Sequence, residues 1–329
     1  MKVMSQAWVS IVNADKSHNQ AAQDSSVALI VRDTLETAVA KNTIIVLLCI
    51  SINFINGTLV YVFFKNEILY QNSRYILFIH MVLNDMIQLT IAVLLHVFSY
   101  VFFTINVSFC CVMLLIAIFT TINTPLNLAG MAIERYIAIC HPLRHSQICT
   151  VRRTYLLIAL IWTLGAIQIL PDLFVILATE PFAFFHSTVF CLRDTVFRHP
   201  VLLKKKTILH AVYLCFVWLT LVYTYFRILF AAKAARADAR KARNTVLLHA
   251  AQLFMCMFTY IGPLLEGILF YIFPKHQLEV QFAIYLFVQV LPRFLSPIIY
   301  GIRDQTFKKY LQNYFCLCKI CKFRQSSSS

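Results

Sequence analysis

Residues 43–64 read TIIVLLCISINFINGTLVYVFF and contain no charged side chain. A stretch of about 20 mostly apolar residues is long enough to cross the hydrocarbon core of a bilayer as a helix. The whole chain has the same character, since 60% of its residues are hydrophobic and 13% are charged. Soluble domains have about 45–50% apolar and about 25% charged residues. We therefore predict an all-α integral membrane protein.

Seven apolar runs of this kind follow one another along the chain. They predict a bundle of seven transmembrane helices, followed by an amphipathic segment at 304–315 that is too short to cross and lies on the membrane surface. The expected organisation is a tail at 1–42, the bundle at 43–302 and a second tail at 303–329. The predicted spans are 43–64, 75–97, 109–131, 155–178, 207–230, 246–272 and 282–302.

Basic residues mark one side of the membrane. The connections after spans 1, 3 and 5 and the carboxyl-terminal tail are rich in Lys and Arg, and short loops with that excess stay in the cytoplasm. The amino terminus is then extracellular. We expect span 1 to act as its own uncleaved signal, because residues 1–41 are polar and lack an apolar core of the required length. Lys204, Lys205 and Lys206 fall on the predicted outer side and oppose this assignment.

The net charge of +15 does not indicate a nucleic-acid-binding protein, because the basic residues lie between apolar runs rather than on one face of a soluble domain. No phosphate-binding Gly-rich loop and no Ser/His/Asp or paired-carboxylate arrangement stands out. His141 and His145 are four residues apart but flank Pro142 in a basic loop, which is typical of a turn rather than of a zinc site. We expect no enzyme activity, no metal and no cofactor.

Two opposite charges lie midway along apolar spans, Asp85 in span 2 and Arg293 in span 7. Charges inside a membrane are rare, and two opposite charges can compensate each other. We predict that Asp85 and Arg293 face each other as an intramembrane ion pair. The alternative is that Arg293 faces a wet cavity or a backbone carbonyl group.

The end of span 3, from Met131 to Arg144, reads MAIERYIAICHPLR. This run resembles the motif that marks odorant receptors within the rhodopsin-like G-protein-coupled receptors, with Glu134 in place of the usual Asp. The end of span 7 is similar to the family's Asn-Pro-Ile-Ile-Tyr, with Ser296 in place of Asn. The resemblance covers almost the whole chain and is strongest to a fish odorant receptor. Its further matches are Asn56-Gly57, Asp85, Trp162, Lys241-Ala242, Thr245 and His249.

The resemblance implies a receptor that binds a small odorant in the outer half of the bundle and activates a heterotrimeric G protein of the olfactory, cyclic-AMP-raising type. It assigns the contact with the G protein to Arg135, with Glu134, Tyr136, Tyr225 and Tyr300 completing the activation switch. The implied ligand-binding residues combine apolar walls with a few polar groups, as small-molecule sites do. They are Leu114, Ala117, Ile118, Thr121, His210, Tyr213, Tyr260 and Gln289.

Two further expectations, a disulfide and palmitoylation, concern the cysteines. Cys191 lies in the long outer connection and span 3 begins with Cys110 and Cys111, so a disulfide is permitted on the oxidising side. The family pattern pairs Cys110 with Cys191, and the alternative is two unrelated thiols. Cysteines just after the surface segment are candidates for palmitoylation, with unmodified thiols as the alternative. They are Cys316, Cys318 and Cys321.

The resemblance also implies a multi-pass plasma-membrane protein of olfactory sensory neurons, in contact with membrane lipid. It leaves open whether the protein forms a receptor dimer or binds a trafficking partner. A non-olfactory rhodopsin-like receptor for another small molecule or a peptide is the nearer alternative. An amine receptor usually has an Asp near Ala117, and this chain has none. A transporter or channel is the distant alternative, because the two halves of the chain show no internal repeat.

Overall fold

The computed structural model describes residues 34–102, 104–234, 262, 265–295, 297 and 307–312. Nearly all of these residues are helical, and five of the described helices have the length and the apolar composition to cross a membrane. A further helix of 35 residues, Pro200–Ala234, corresponds to predicted span 5. Of predicted span 6, only residues 262 and 265–272 are described as helical.

The long helices keep their span numbers below. Spans 1 to 5 each begin before and end after the predicted apolar run, because hydropathy marks only the part inside the hydrocarbon, while helical hydrogen bonding continues into the polar boundary. Span 1 begins at Leu35, where Thr34 Oγ1 accepts a hydrogen bond of 3.4 Å from the backbone N–H of Thr37. The bounds are Leu35–Lys65, Ser73–Val101, Val107–Cys140, Val151–Thr179 and Pro200–Ala234 for spans 1 to 5, and Gln277–Leu295 for span 7.

Short elements connect the spans. Helix Glu67–Tyr70 lies between spans 1 and 2, and helix Pro142–Ile148 between spans 3 and 4. Residues 180–199, here named the long loop, connect spans 4 and 5 and contain a two-residue strand, Thr188–Val189. This strand pairs antiparallel with Ile105–Asn106 and so attaches the long loop to the beginning of span 3. The helices of the long loop are Phe182–His186 and Arg193–Val196.

Span 3 is the central helix of the described part and packs against spans 2, 4 and 5. We name the end of the bundle that contains Cys110 the disulfide end, and the opposite end, with Arg135, the Arg135 end. A buried apolar cluster at the Arg135 end includes Phe307, whose ring centroid lies 5.8 Å from that of Phe78. The described part of the predicted surface segment, residues 307–312, therefore packs against span 2.

The bundle is apolar on its outside as well as in its interior. Large apolar side chains such as Phe54, Leu160 and Phe216 are exposed on spans 1, 4 and 5, as expected for helices that face lipid tails. Polar side chains are instead buried between the spans, which is the reverse of a soluble domain. The buried polar residues of spans 1 to 3 include Asn56, Asn84, Asp85, Gln88, Asn123 and Asn127.

Candidate functional site

A covalent bridge holds the long loop over the disulfide end. Cys110 and Cys191 form a disulfide with their Cα atoms 5.7 Å apart, which confirms the predicted pairing over two unrelated thiols. Nearby, the backbone N–H of Val107 donates a hydrogen bond of 3.0 Å to the backbone oxygen of Ser187. The beginning of span 3 therefore fixes the middle of the long loop.

An ion pair fixes the two ends of the long loop to each other. Arg198 donates from Nε and Nη2 to the two carboxylate oxygens of Glu180, at 3.0 and 2.9 Å. The same guanidinium lies 4.7 Å from the centre of the Phe184 ring. Hydrogen bonding from Arg198 holds the pKa of the Glu180 carboxyl below its usual range. The bidentate pair is therefore charged at neutral pH, and its planar geometry orients both side chains.

Two side chains of the long loop fill the space between spans 3 and 4 at this end. Val196 and Phe197 are buried in one cluster with Cys111 and Leu114. Ile118, one turn further along span 3, packs against the same cluster. Two of the predicted ligand-binding residues, Leu114 and Ile118, thus form an apolar wall that the loop covers.

Polar side chains lie next to this wall, between spans 2 and 3. Gln88 Nε2 donates a hydrogen bond of 2.8 Å to Thr121 Oγ1, and the Thr121 hydroxyl donates one of 2.7 Å to the backbone oxygen of Ala117. Thr124 Oγ1 lies 3.3 Å from Gln88 Oε1 and donates to it. An apolar wall beside a few oriented polar groups is the usual composition of a small-molecule site.

The other predicted ligand-binding residues are described only in part. Gln289 is half-buried in a π-helical turn of span 7, Leu286–Val290. His210 and Tyr213 lie on the span 5 helix, with side-chain positions outside those described. Tyr260 lies outside the described residues. The structure therefore shows how the span 3 residues of the predicted site pack, and ligand binding by the residues of spans 3, 5, 6 and 7 stays a prediction.

Asp85 and Arg293 are both buried, but they do not form the predicted direct ion pair. Arg293 Nη1 donates a hydrogen bond of 2.7 Å to the backbone oxygen of Val288, and Asp85 Oδ1 has no hydrogen-bond partner among the described residues. The physical reason is Pro292, which has no N–H to give to the Val288 carbonyl four residues earlier. Arg293 donates to this carbonyl from its side chain, as in the alternative in which Arg293 faces a backbone carbonyl group. It interacts with Asp85 only at longer range.

A hydrogen-bonded relay, which the sequence reasoning missed, joins spans 2, 3 and 4. Trp162 Nε1 donates to His80 Nε2 at 2.7 Å, and His80 Nδ1 lies 2.7 Å from Asn127 Oδ1. Because an indole nitrogen can only donate, Nε2 of His80 must accept, and the ring proton is on Nδ1. The relay therefore holds His80 as the neutral Nδ1-protonated tautomer in one orientation.

We expect the substitution His80→Leu to lower the free energy of unfolding by about 1–2 kcal/mol, because the indole N–H and the amide oxygen then lack partners inside the bundle. The thermal midpoint of the purified protein in detergent measures this loss. His80→Gln keeps one donor and one acceptor and is expected to lose less. A His80→Leu protein that melts at the same temperature as the unmodified protein would contradict the relay.

The polar side chains of span 2 that contact span 3 follow a four-residue spacing, which is visible in the sequence. His80, Asn84 and Gln88 are spaced by four along span 2, so they share one face of the helix. That face meets span 3, where Asn84 Nδ2 donates to Thr124 Oγ1 and to the backbone oxygen of Thr120, both at 2.9 Å. The contact between spans 2 and 3 was therefore indicated by the spacing of uncharged polar residues, and not by the charged residues.

At the Arg135 end, both neighbours of Arg135 contact other side chains. Glu134 is buried, and its Oε1 lies 3.0 Å from Nε2 of His145 on the helix Pro142–Ile148. The Tyr136 hydroxyl lies 3.5 Å from His141 Nε2. Arg135 is half-buried and makes no hydrogen bond or ion pair with any described residue.

Other predicted switch and tail residues are only partly described. Tyr225 is half-buried on span 5, with its ring centroid 5.6 Å from that of Phe226. Tyr300 and the tail cysteines Cys316, Cys318 and Cys321 lie outside the described residues. Within the described ranges, no group of three or more His, Cys, Asp or Glu side chains could hold a metal ion.

Residues 55–300 match the family model described as 7 transmembrane receptor (rhodopsin family). The chain belongs to this receptor family. It is therefore a receptor rather than an enzyme, and the all-α, seven-span membrane fold predicted from the sequence is confirmed. Receptors of this family are multi-pass proteins of the plasma membrane, and they act with a ligand and a G protein.

The receptor is similar to odorant receptors of fish and mammals, which confirms the resemblance recognised in the sequence. Odorant receptor 131-2 of Danio rerio is 30% identical over 281 residues, covering 82% of this chain and 84% of that receptor. Olfactory receptor 6K3 of Homo sapiens is 30% identical over 205 residues, 59% of each chain. Melatonin receptor type 1C of Gallus gallus is 28% identical over 204 residues, 58% of this receptor and 56% of that chain.

Proposed function

We propose that this receptor binds a small odorant near the disulfide end and activates a heterotrimeric G protein of the olfactory, cyclic-AMP-raising type at the Arg135 end. Similarity to an odorant receptor over 82% of the chain supports the ligand class. The observation that carries the coupling is the arrangement around Arg135. Glu134 and Tyr136 contact His145 and His141, while the Arg135 guanidinium has no described partner of its own.

The wall of Leu114 and Ile118 with the polar pair Thr121 and Gln88 suits one kind of odorant. The apolar part of the ligand packs on the wall, and a single hydroxyl or carbonyl group reaches the polar pair. A buried site of this composition favours a small and mostly apolar molecule over a charged one, since a charge without a partner is costly there. His210, Tyr213, Tyr260 and Gln289 complete the proposed site.

Ligand binding acts by favouring a conformation that the free receptor already populates. In the proposed mechanism the Arg135 end of span 6 moves outward, as helices of switching proteins do, and opens a crevice beside Arg135. Tyr225 and Tyr300 rearrange around it. Glu134 is tied to the helix Pro142–Ile148 through His145, so the loop between spans 3 and 4 moves together with the end of span 3.

The proposed orientation has the disulfide end outside the cell, with the amino terminus extracellular. A disulfide at that end supports it, because the extracellular side is the oxidising side. We propose the plasma membrane of olfactory sensory neurons as the location and palmitate on the tail cysteines as an additional attachment. Lipid and G protein are then its constant partners, and a second receptor copy or a trafficking partner is an additional one.

Cyclic-AMP accumulation in cells that express the receptor with an olfactory-type G protein tests the proposal. The ligand panel covers amino acids, amines, bile acids, steroids and small apolar alcohols and ketones. We expect a dose-dependent rise for at least one class, and Arg135→Ala should reduce it to background at equal surface expression. Arg152→Ala is the matched control, because Arg152 is an exposed arginine at the same end.

The outcomes separate the two halves of the proposal. A full response from Arg135→Ala would overturn the coupling role of Arg135, and an equal loss in Arg152→Ala would make the effect non-specific. Silence of the surface-expressed receptor toward the whole panel would reject every ligand class tested with this G protein.

A further inference from the structure

The carboxylate of Asp172 joins three segments at the disulfide end. Asp172 follows Pro171 in span 4, and its side chain is only 8% exposed. Lys205 of span 5 donates to Asp172 Oδ1 and, at 2.7 Å, to the backbone oxygen of Gln168. Arg193 of the long loop has its Nη2 3.7 Å from Asp172 Oδ2. One buried carboxylate therefore connects span 4, span 5 and the long loop.

The burial of Asp172 makes the loss of one of its partners more costly than the same loss in an ordinary surface ion pair. Removing one partner of a buried pair is strongly destabilising, because the charge left behind has lost both water and its counter-ion. Lys205 and Arg193 lie at different oxygens of the carboxylate, so each links Asp172 to a different segment of the chain. The Glu180–Arg198 pair of the long loop differs, since its arginine side chain is 53% exposed.

The contact with Arg193 bears directly on the wall of the proposed ligand site. Arg193 is the first residue of the four-residue helix Arg193–Val196. The last residue of that helix, Val196, and the next one, Phe197, are the loop side chains packed with Leu114. Because less than one turn separates Arg193 from Val196, a displacement of Arg193 also displaces the side chains that cover the wall.

We infer that Asp172 is a positioning residue for ligand access. Through Arg193 it holds Val196 and Phe197 over the apolar wall of span 3, and without it the wall opens to the outside. The consequence for a ligand rests on the proposed function, whereas the position of the loop can be measured with neither odorant nor G protein. An outer-loop ion pair then controls how readily a ligand reaches the wall.

Cys111 reports on the cover without any engineering. Its free thiol is buried in the same cluster as Val196 and Phe197, and it lies at the disulfide end beside the bridged Cys110. A membrane-impermeant biotinylated methanethiosulfonate reaches it only when the loop moves away. The Cys111 thiolate then forms a mixed disulfide with the reagent and releases methanesulfinate. Labelling is counted per receptor at the surface of intact cells, and the Cys111→Ser receptor gives the background.

Four variants test the inference. Asp172→Asn and Arg193→Gln each remove the ion pair between Asp172 of span 4 and Arg193 of the long loop, and we expect each to raise the labelling rate about threefold to tenfold. The double variant should label no faster than the faster single variant, since both changes break the same contact. Asp172→Glu keeps the charge and should stay close to the rate of the unmodified receptor. Glu279→Gln, an exposed carboxylate outside the long loop, is the control.

The inference fails if Arg193→Gln leaves the labelling rate unchanged, or if the double variant shows the product of the two single effects. It also fails if Glu279→Gln raises the rate as much as Asp172→Asn. Arg193→Gln keeps the test decisive even if Asp172→Asn does not reach the surface, because the Arg193 side chain is partly exposed. A receptor silent to every odorant can still give the expected labelling, so failure of the proposed function is recognised separately.

Discussion

The substitution Cys191→Ser is expected to remove most of the receptor from the cell surface. The bridge between Cys110 and Cys191 connects positions 81 residues apart, and native disulfides of this kind contribute about 2–5 kcal/mol to stability. Its loss also frees the long loop, which covers the apolar cluster of Val196 and Phe197. Surface immunostaining of intact cells, divided by total receptor, measures the effect.

Cys111→Ser is the matched control for this prediction. Cys111 is adjacent to Cys110 and is buried in the same cluster, but it is a free thiol. Both variants therefore replace a sulfur atom by a hydroxyl group, while only one of them breaks the bridge. Equal surface amounts for Cys191→Ser and Cys111→Ser would mean that the bridge is dispensable for folding.

The second large effect is expected from Gly165→Ala, in the contact between spans 3 and 4. A Cβ atom at Gly165 would lie 2.7 Å from Asn123 Oδ1 and 2.9 Å from Cε2 of the Phe119 ring. One of these side chains has to shift inside the packed bundle, where Asn123 is buried and the Phe119 ring packs edge-on against Trp162. We expect a loss of about 1–3 kcal/mol from overpacking, seen as a lower thermal midpoint of the purified receptor.

Gly57→Ala separates this crowding from the general effect of replacing a helical glycine. A Cβ atom at Gly57 would meet nothing within 4 Å, so that variant should be as stable as the unmodified receptor or slightly more stable, since Ala is the better helix former. Adding Asn123→Ala to Gly165→Ala should recover part of the loss. If the two glycine variants melt alike, the close approach of spans 3 and 4 is not a constraint.

The fold could be predicted because a lipid environment constrains the backbone of every long segment that crosses it. Every backbone group inside the hydrocarbon has to be paired, so a long apolar run leaves few alternatives to a helix. The ends of the helices were harder to predict, since span 1 begins at Leu35, eight residues before the predicted run. In polar surroundings a cap such as Thr34 decides where a helix starts, and hydropathy carries no information on it.

The candidate ligand site was implied by the resemblance to odorant receptors and not by the pattern of any one helix. Of its span 3 residues, the described structure places Leu114 in one apolar cluster and Ile118 against it. The sequence did not indicate that Asp172 and His80 join several helices, because their partners are far along the chain. Lys205 is 33 residues from Asp172, and Trp162 is 82 residues from His80. One sequence does not reveal which distant helix faces a given polar side chain.

The adjacent residues Pro292 and Arg293 have a consequence for how the chain can change during evolution. Pro292 has no N–H to offer the Val288 carbonyl, and Arg293 Nη1 donates to that carbonyl. Losing Arg293 alone would remove this donor and also the longer-range interaction with the buried Asp85. Losing Pro292 alone would return the carbonyl to the backbone and leave the guanidinium to find another acceptor. The three positions are therefore epistatic, and divergence that begins at one of them requires compensation at another.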